Sequence, residues 1–167
     1  MPAHPHAPQT SPTLWQRSAW PLAMGISPLL IAQGRSVRRA VPKLPPAPGV
    51  TAGSTKGPNP LRVLGVGDST VVGVGVSTMD DGLIAQFSLA LAAHLGRGVS
   101  WRSVGESGAT SKDILGRFIP QALAEPADVL LVSLGANDAK DLKPLGATKA
   151  RFRRLLEILH EGHPDAV

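Results

Sequence analysis

"LRVLGVGDSTVVGVG", residues 61–75, is the stretch on which the reading of this chain turns. Leu61, Val63, Leu64 and Val66 lead through glycine to Asp68 and Ser69, and an uncharged run of valine and glycine follows. A short apolar run of this kind reads as a buried strand. One carboxylate and one hydroxyl then stand at its carboxyl end, with Gly73 and Gly75 loosening the loop beyond them.

Downstream the signals alternate. Residues 81–95 read as a helix with Leu83, Phe87, Leu91 and Leu95 on its inner face, ended by Gly96 and Gly98. "VSWRSVG" (99–105) reads as a second strand. A helix capped by Thr110 or Ser111 follows to Leu123, with Ile114, Leu115, Phe118 and Ile119 facing in. "ADVLLVSLG" (127–135) is the third and most apolar strand. A last helix spans about 147–160, with Phe152, Leu155, Leu156 and Leu159 inward. Strand–helix alternation of this kind predicts a parallel sheet covered by helices on both faces. The chemistry of such sheets sits beyond the carboxyl ends of the strands, where Asp68 and Ser69 lie.

Composition narrows the function classes. The 167 residues contain no cysteine, which excludes disulfides, thiolate metal sites and cysteine nucleophiles. The net charge of +5 is unevenly placed. Residues 1–60 carry six Lys/Arg and no acid, whereas residues 61–167 carry the other eleven bases and all twelve acids. The domain is therefore nearly neutral, which argues against nucleic acid as a partner.

Residues 1–60 hold twelve of the sixteen prolines and read as a basic leader. The uncharged stretch 18–34 is interrupted by Pro21, Gly25 and Pro28, so it falls short of the roughly 20 apolar residues of a membrane span. As a signal peptide it is a poor match, with one charge in its n-region and "IAQG" (31–34) a weak small-x-small cleavage site. Ser27 and Pro28 instead open a short helix that ends among Arg35, Arg38 and Arg39. Residues 20–39 then either meet a membrane surface peripherally or pack on the domain itself. Residues 42–60 read as a Pro/Gly-rich linker, giving an organisation of leader 1–60 and domain 61–167.

The three strand ends carry "GDST" (67–70), "SGATS" (107–111) and "GAND" (135–138). In this order and spacing they resemble blocks I, II and III of the SGNH/GDSL serine esterases, a family that includes lysophospholipase-type hydrolases. The resemblance spans about residues 61–167. It implies a flavodoxin-like three-layer α/β/α fold and hydrolysis of ester or lipid substrates through an acyl-enzyme, without cofactor or metal. The segment 29–49 resembles leaders seen ahead of this domain in bacterial members, which implies a cytoplasmic or membrane-associated protein rather than a secreted one.

Residue by residue, the resemblance makes Ser69 the nucleophile and, through its N–H, one oxyanion donor. Gly108 would supply a second backbone N–H and Asn137 a side-chain amide. Asp68 and Asp138 read as structural acceptors of the turns rather than as catalytic acids. The glycine at 108 is expected to admit the substrate where a Cβ would stand in the way.

A serine hydroxyl needs a base. The family takes it from an Asp-x-x-His block, and no such sequence occurs among the five histidines here: His4, His6, His94, His160 and His163. The group His160, His163, Glu157 and Glu161 has the wrong spacing for a zinc helix and reads as a solvated helix end. The expectation is therefore a hydrolase domain that stops after its third strand and third helix, ahead of its base. Such a chain would be inactive, marginally stable and open to self-association along the edge of its third strand. An inactive domain binding an acyl or sugar ligand in the same pocket is the alternative. A phosphate-binding loop is disfavoured, because residues 67–78 lack the P-loop lysine.

Overall fold

Hydrophobic alternation along the central strand sets two opposed cores. The computed structural model describes residues 25, 27–34, 36, 37, 40, 42, 44–141 and 144–167. Two compact units result, Met1–Lys43 and Leu44–Val167. In the first, residues 27–34 are helical. The basic end expected for that helix (Arg35, Arg38, Arg39) and residues 20–24 lie outside the described residues. Among the described residues no helix is long and apolar enough to cross a membrane.

The second unit is built on a four-stranded sheet: β1 (Ala52–Ser54), β2 (Leu61–Gly67), β3 (Val99–Gly105) and β4 (Val129–Ser133). Their order is β1-β3-β2-β4. β2 pairs in parallel with both β3 and β4, as the alternating pattern requires, while β1 runs antiparallel along β3. The stretch expected as linker is thus sheet in part. Thr51 and Thr55 extend the β1 contact, with Ser103 N–H donating to Thr51 and Thr55 N–H to Val99 at 2.7 and 2.8 Å.

Helix α1 (Leu83–Leu95) covers one face of the sheet, where Val63, Val99 and Trp101 meet Ile84 and Ala85. The inner side of α1 is Ile84, Ala85 and Ser88; Leu83 and Leu95, expected inside, are exposed. The reason lies in the sheet. A Cβ on Gly65 would overlap Ile84, so the glycine makes a notch that takes this side chain. The helix is apolar on nearly every side, and the notch chooses its rotation.

The other face carries Leu64, Val66 and Val104 against Ile114, Ala122, Leu155 and Leu159. The helix expected over 110–123 is three consecutive pieces: α2 (Ser111–Asp113), a π-helical turn (Ile114–Phe118) and α3 (Ile119–Ala122). Thr110 caps it in a reciprocal capping box with Asp113. The wide turn lies just ahead of Pro120, whose missing N–H and ring exclude a regular continuation. After the short α4 (Ala136–Lys140), α5 (Leu145–Gly162) buries Leu155 and Leu159 and leaves Leu156 exposed.

β4 has neighbours on both sides at its first residues. Leu130 N–H donates to the Val167 carbonyl at 2.8 Å, and Val167 N–H to the Asp128 carbonyl at 3.1 Å. These two bonds are one parallel rung on the outer side of Val129. The expected free edge therefore begins beyond that rung.

Candidate active site

Glycines draw the ends of the parallel strands together. A Cβ on Gly67 would overlap the Ser133 carbonyl, and one on Gly105 would overlap the carbonyl of Gly67. Only hydrogen fits at these two crossings, so the three following loops leave the sheet from nearly one point. They carry Asp68-Ser69, Gly108 and Asn137.

Asn137 ties the three loops. Its Nδ2 donates to Asp68 Oδ2 at 3.2 Å and to the Ala109 carbonyl at 3.1 Å. Lys140 Nζ donates to Asn137 Oδ1 at 3.0 Å, which fixes the amide with its nitrogen toward the other two loops. One side chain thus spans the residue before Ser69 and the residue after Gly108. Both of its amide hydrogens are in use, so donation to a substrate oxygen draws on one of these bonds. The Asp68 contact is the longer.

Asp68 is buried and acts as an acceptor. Its Oδ1 takes the Thr70 N–H at 3.3 Å, its Oδ2 takes Asn137, and its backbone N–H donates to the Ser133 carbonyl at 3.1 Å. Ser69, half-buried, follows at the start of a loop held by Val71 and Val72 N–H on the Asp68 carbonyl and Val74 N–H on that of Ser69. Gly108 is exposed with φ of 86°, and a Cβ there would meet nothing within 4 Å. Its left-handed backbone, rather than a lack of space, is what calls for glycine.

Asp138 was expected to serve its own turn and does something wider. It is 2% exposed; its Oδ2 accepts the Ser111 N–H at 2.8 Å and its Oδ1 the Ser111 hydroxyl at 2.7 Å. Arg151 Nε donates to the Ser111 hydroxyl oxygen at 3.1 Å, with its Nη2 3.8 Å from Asp138 Oδ1. The carboxylate therefore fastens α4, which carries Asn137, to the start of α2 and to α5. The sequence held no signal for it beyond an acid after Asn137.

Glu106 meets Arg117, whose guanidinium lies 4.9 Å from the Phe118 ring centroid. Hydrogen bonds from the Thr110 hydroxyl and backbone hold the Asp113 carboxyl below its ordinary range.

No described histidine stands beside Ser69. His94 ends α1 and His160 ends α5, both exposed. His163, expected to be solvated, is buried between Ala127 N–H (3.3 Å to Nδ1) and the Ala122 carbonyl (3.2 Å to Nε2). Ala127 precedes β4, so this imidazole lies at the far end of the strands from Ser69. His4 and His6 lie outside the described residues. Among the described residues no group of three metal-ligating side chains is assembled.

The model of the GDSL-like lipase/acylhydrolase family matches residues 66–167. Among solved structures, the chain is similar to the SGNH-hydrolase family esterase AlinE4, with a TM-score of 0.56 and 25% identity. That match covers 62% of this chain and 55% of the esterase, and a mutant of the same esterase gives the same values. TesA shares the fold at a TM-score of 0.54 and 24% identity, over 63% of this chain and 56% of TesA. The chain spans about half the length of the solved structures it matches. No curated protein sequence matches it.

Proposed function

The chain belongs to the GDSL-like lipase/acylhydrolase family, and on that footing we propose that it is a serine ester hydrolase with Ser69 as nucleophile. The Ser69 hydroxyl oxygen attacks the ester carbonyl, and its proton leaves to a base. The alkoxide departs from the tetrahedral intermediate with a proton, and water then releases the acid from the acyl-enzyme. The negative oxygen of the intermediate is received by the N–H groups of Ser69 and Gly108 and by the Asn137 amide. One observation supports the reading: the Asn137 amide bridges Asp68 and Ala109, and so joins the loops that carry Ser69, Gly108 and Asn137. Each donor of this kind is worth roughly 3 kcal/mol of barrier.

The engagement of both Asn137 amide hydrogens, by Asp68 and by the Ala109 carbonyl, favours a second reading, an acyl- or sugar-ligand binding domain without turnover on the same fold. Imidazole separates the two, since a small base in solution can take the Ser69 proton in a site built for hydrolysis and does nothing for a site that only binds. Hydrolysis of p-nitrophenyl acetate is followed with and without millimolar imidazole, in the wild-type chain and in Ser69→Ala. The esterase reading expects turnover above the imidazole background that disappears in Ser69→Ala. It also expects Asn137→Ala to lower that turnover by about a hundredfold. Equal rates in wild type and Ser69→Ala reject it and leave the binding reading.

A further inference from the structure

The segment just ahead of the sheet lies outside the family-matched residues, and its hydrogen bonds go to the loop that follows Ser69. Residues 45–48 read Pro-Pro-Ala-Pro. Three of the four have no N–H. The single donor, Ala47, gives its N–H to the Val72 carbonyl at 3.2 Å. One residue later the Pro48 carbonyl accepts the Met79 N–H, also at 3.2 Å. The prolines thus leave one donor, and it is spent on that loop.

The loop side is equally committed. Val72 N–H donates to the Asp68 carbonyl at 3.2 Å, so this one residue is bonded to the peptide before Ser69 and to Ala47. Val71, Val72 and Met79 are buried, and Ala47 packs against the cluster that holds Val71 and Met79. Gly73, with φ of 65°, brings its backbone so close that a Cβ would lie 2.9 Å from the Ala47 Cβ and 3.2 Å from Met79 Sδ. Segment and loop therefore interlock through backbone bonds and side-chain contact. Proline also restricts the segment before folding, so less backbone entropy is lost in holding it there.

We propose that Pro45–Pro48 is a positioning strap for the nucleophile loop, holding residues 71–79 in the conformation that presents Ser69 at the end of β2. The inference rests on Ser69 being the nucleophile. Ala47 acts through the loop and touches no reacting atom.

The test deletes the one donor. Ala47→Pro removes the N–H, Ala47→Ser keeps it, and a Pro45→Gly/Pro46→Gly pair loosens the strap with both bonds intact. Amide hydrogen exchange by mass spectrometry is read for residues 71–76 and, as reference, for α5. The strap predicts exchange in 71–76 faster by about fivefold in Ala47→Pro, less in the glycine pair, unchanged in Ala47→Ser, and steady in α5. In imidazole-supported, Ser69-dependent hydrolysis, kcat falls several-fold in Ala47→Pro while KM holds. Unchanged exchange in 71–76, or equal acceleration in α5, overturns the proposal; so does a faster loop with an unaltered kcat. A wild-type chain without Ser69-dependent turnover rejects the esterase reading, and the exchange comparison then decides by itself whether the strap holds the loop.

Discussion

Replacing Asp138 by alanine removes the acceptor of two hydrogen bonds that join α4 to α2. The Ser111 N–H at 2.8 Å and the Ser111 hydroxyl at 2.7 Å both lose a buried carboxylate. Hydrogen bonds to a charged acceptor are worth about 1.5–3 kcal/mol each. Two of them set the loss at about 3–6 kcal/mol. The lower end applies, because the Ser111 oxygen keeps its bond from Arg151 and the Arg151 side chain is 27% exposed and can be hydrated. We expect about 3 kcal/mol, or a fall in melting temperature of about 10 °C for a domain of this size. Asp138→Asn keeps one oxygen for the Ser111 N–H and should lose about half as much. Ser111→Ala should cost about 1 kcal/mol by itself, and the Asp138→Ala/Ser111→Ala pair should cost clearly less than the sum, since both changes break the same bond. Urea unfolding followed by circular dichroism measures all four. A loss below about 1 kcal/mol in Asp138→Ala, or full additivity in the pair, would refute the argument that this carboxylate fastens the loops of the site.

Three more outcomes follow from the packing and the charges. Gly65→Ala should destabilise by about 1–3 kcal/mol, because its Cβ overlaps Ile84, and Ile84→Ala in the same chain should recover part of that loss; two additive losses on thermal unfolding would contradict the notch. His163→Ala should cost about 2 kcal/mol by unpairing the Ala127 N–H and the Ala122 carbonyl, whereas the exposed His160→Ala should be nearly silent; equal effects would return His163 to the solvated helix end. The Asp128 carboxyl is held below its ordinary range, chiefly by its hydrogen bond from Arg62, as Asp113 is by Thr110. A carboxyl depressed in the folded state gives stability that is present above its unfolded pKa of about 3.9 and lost as pH falls through the lower folded value. Asp128→Asn should therefore flatten the acid side of a stability–pH curve below about pH 4 and leave its shape near pH 7 unchanged; an unchanged acid side would show the pair with Arg62 contributes nothing measurable.

Much of the fold was legible because alternation and strand-end chemistry are local. The strands at 61–67, 99–105 and 129–133 follow from short apolar runs, and the helix after the second strand opens at Thr110, one of the two caps the sequence offers. β1 was not legible, because Ala52-Gly53-Ser54 has no strand pattern of its own. It is sheet because its backbone meets β3 and because Gly53 leaves room for the Trp101 ring. The rotation of α1 was misread for a related reason. A helix apolar on most sides carries no instruction about which side is buried, and Gly65, eighteen residues upstream of Leu83, supplies it.

The candidate site divides along the same line. The sequence by itself determined that Ser69, Gly108 and Asn137 sit at the ends of three parallel strands, because each residue's place follows from its own strand and turn. Tertiary structure alone decided what holds them there. The Asn137 amide reaches Asp68 across 69 positions of chain and Ala109 across 28, Asp138 reaches Ser111 across 27, and Ala47 reaches Val72 through one backbone bond. Such contacts leave no periodic trace in a sequence. They are set by how closely glycine lets the strands approach, and by which buried polar groups find partners once the strands have met.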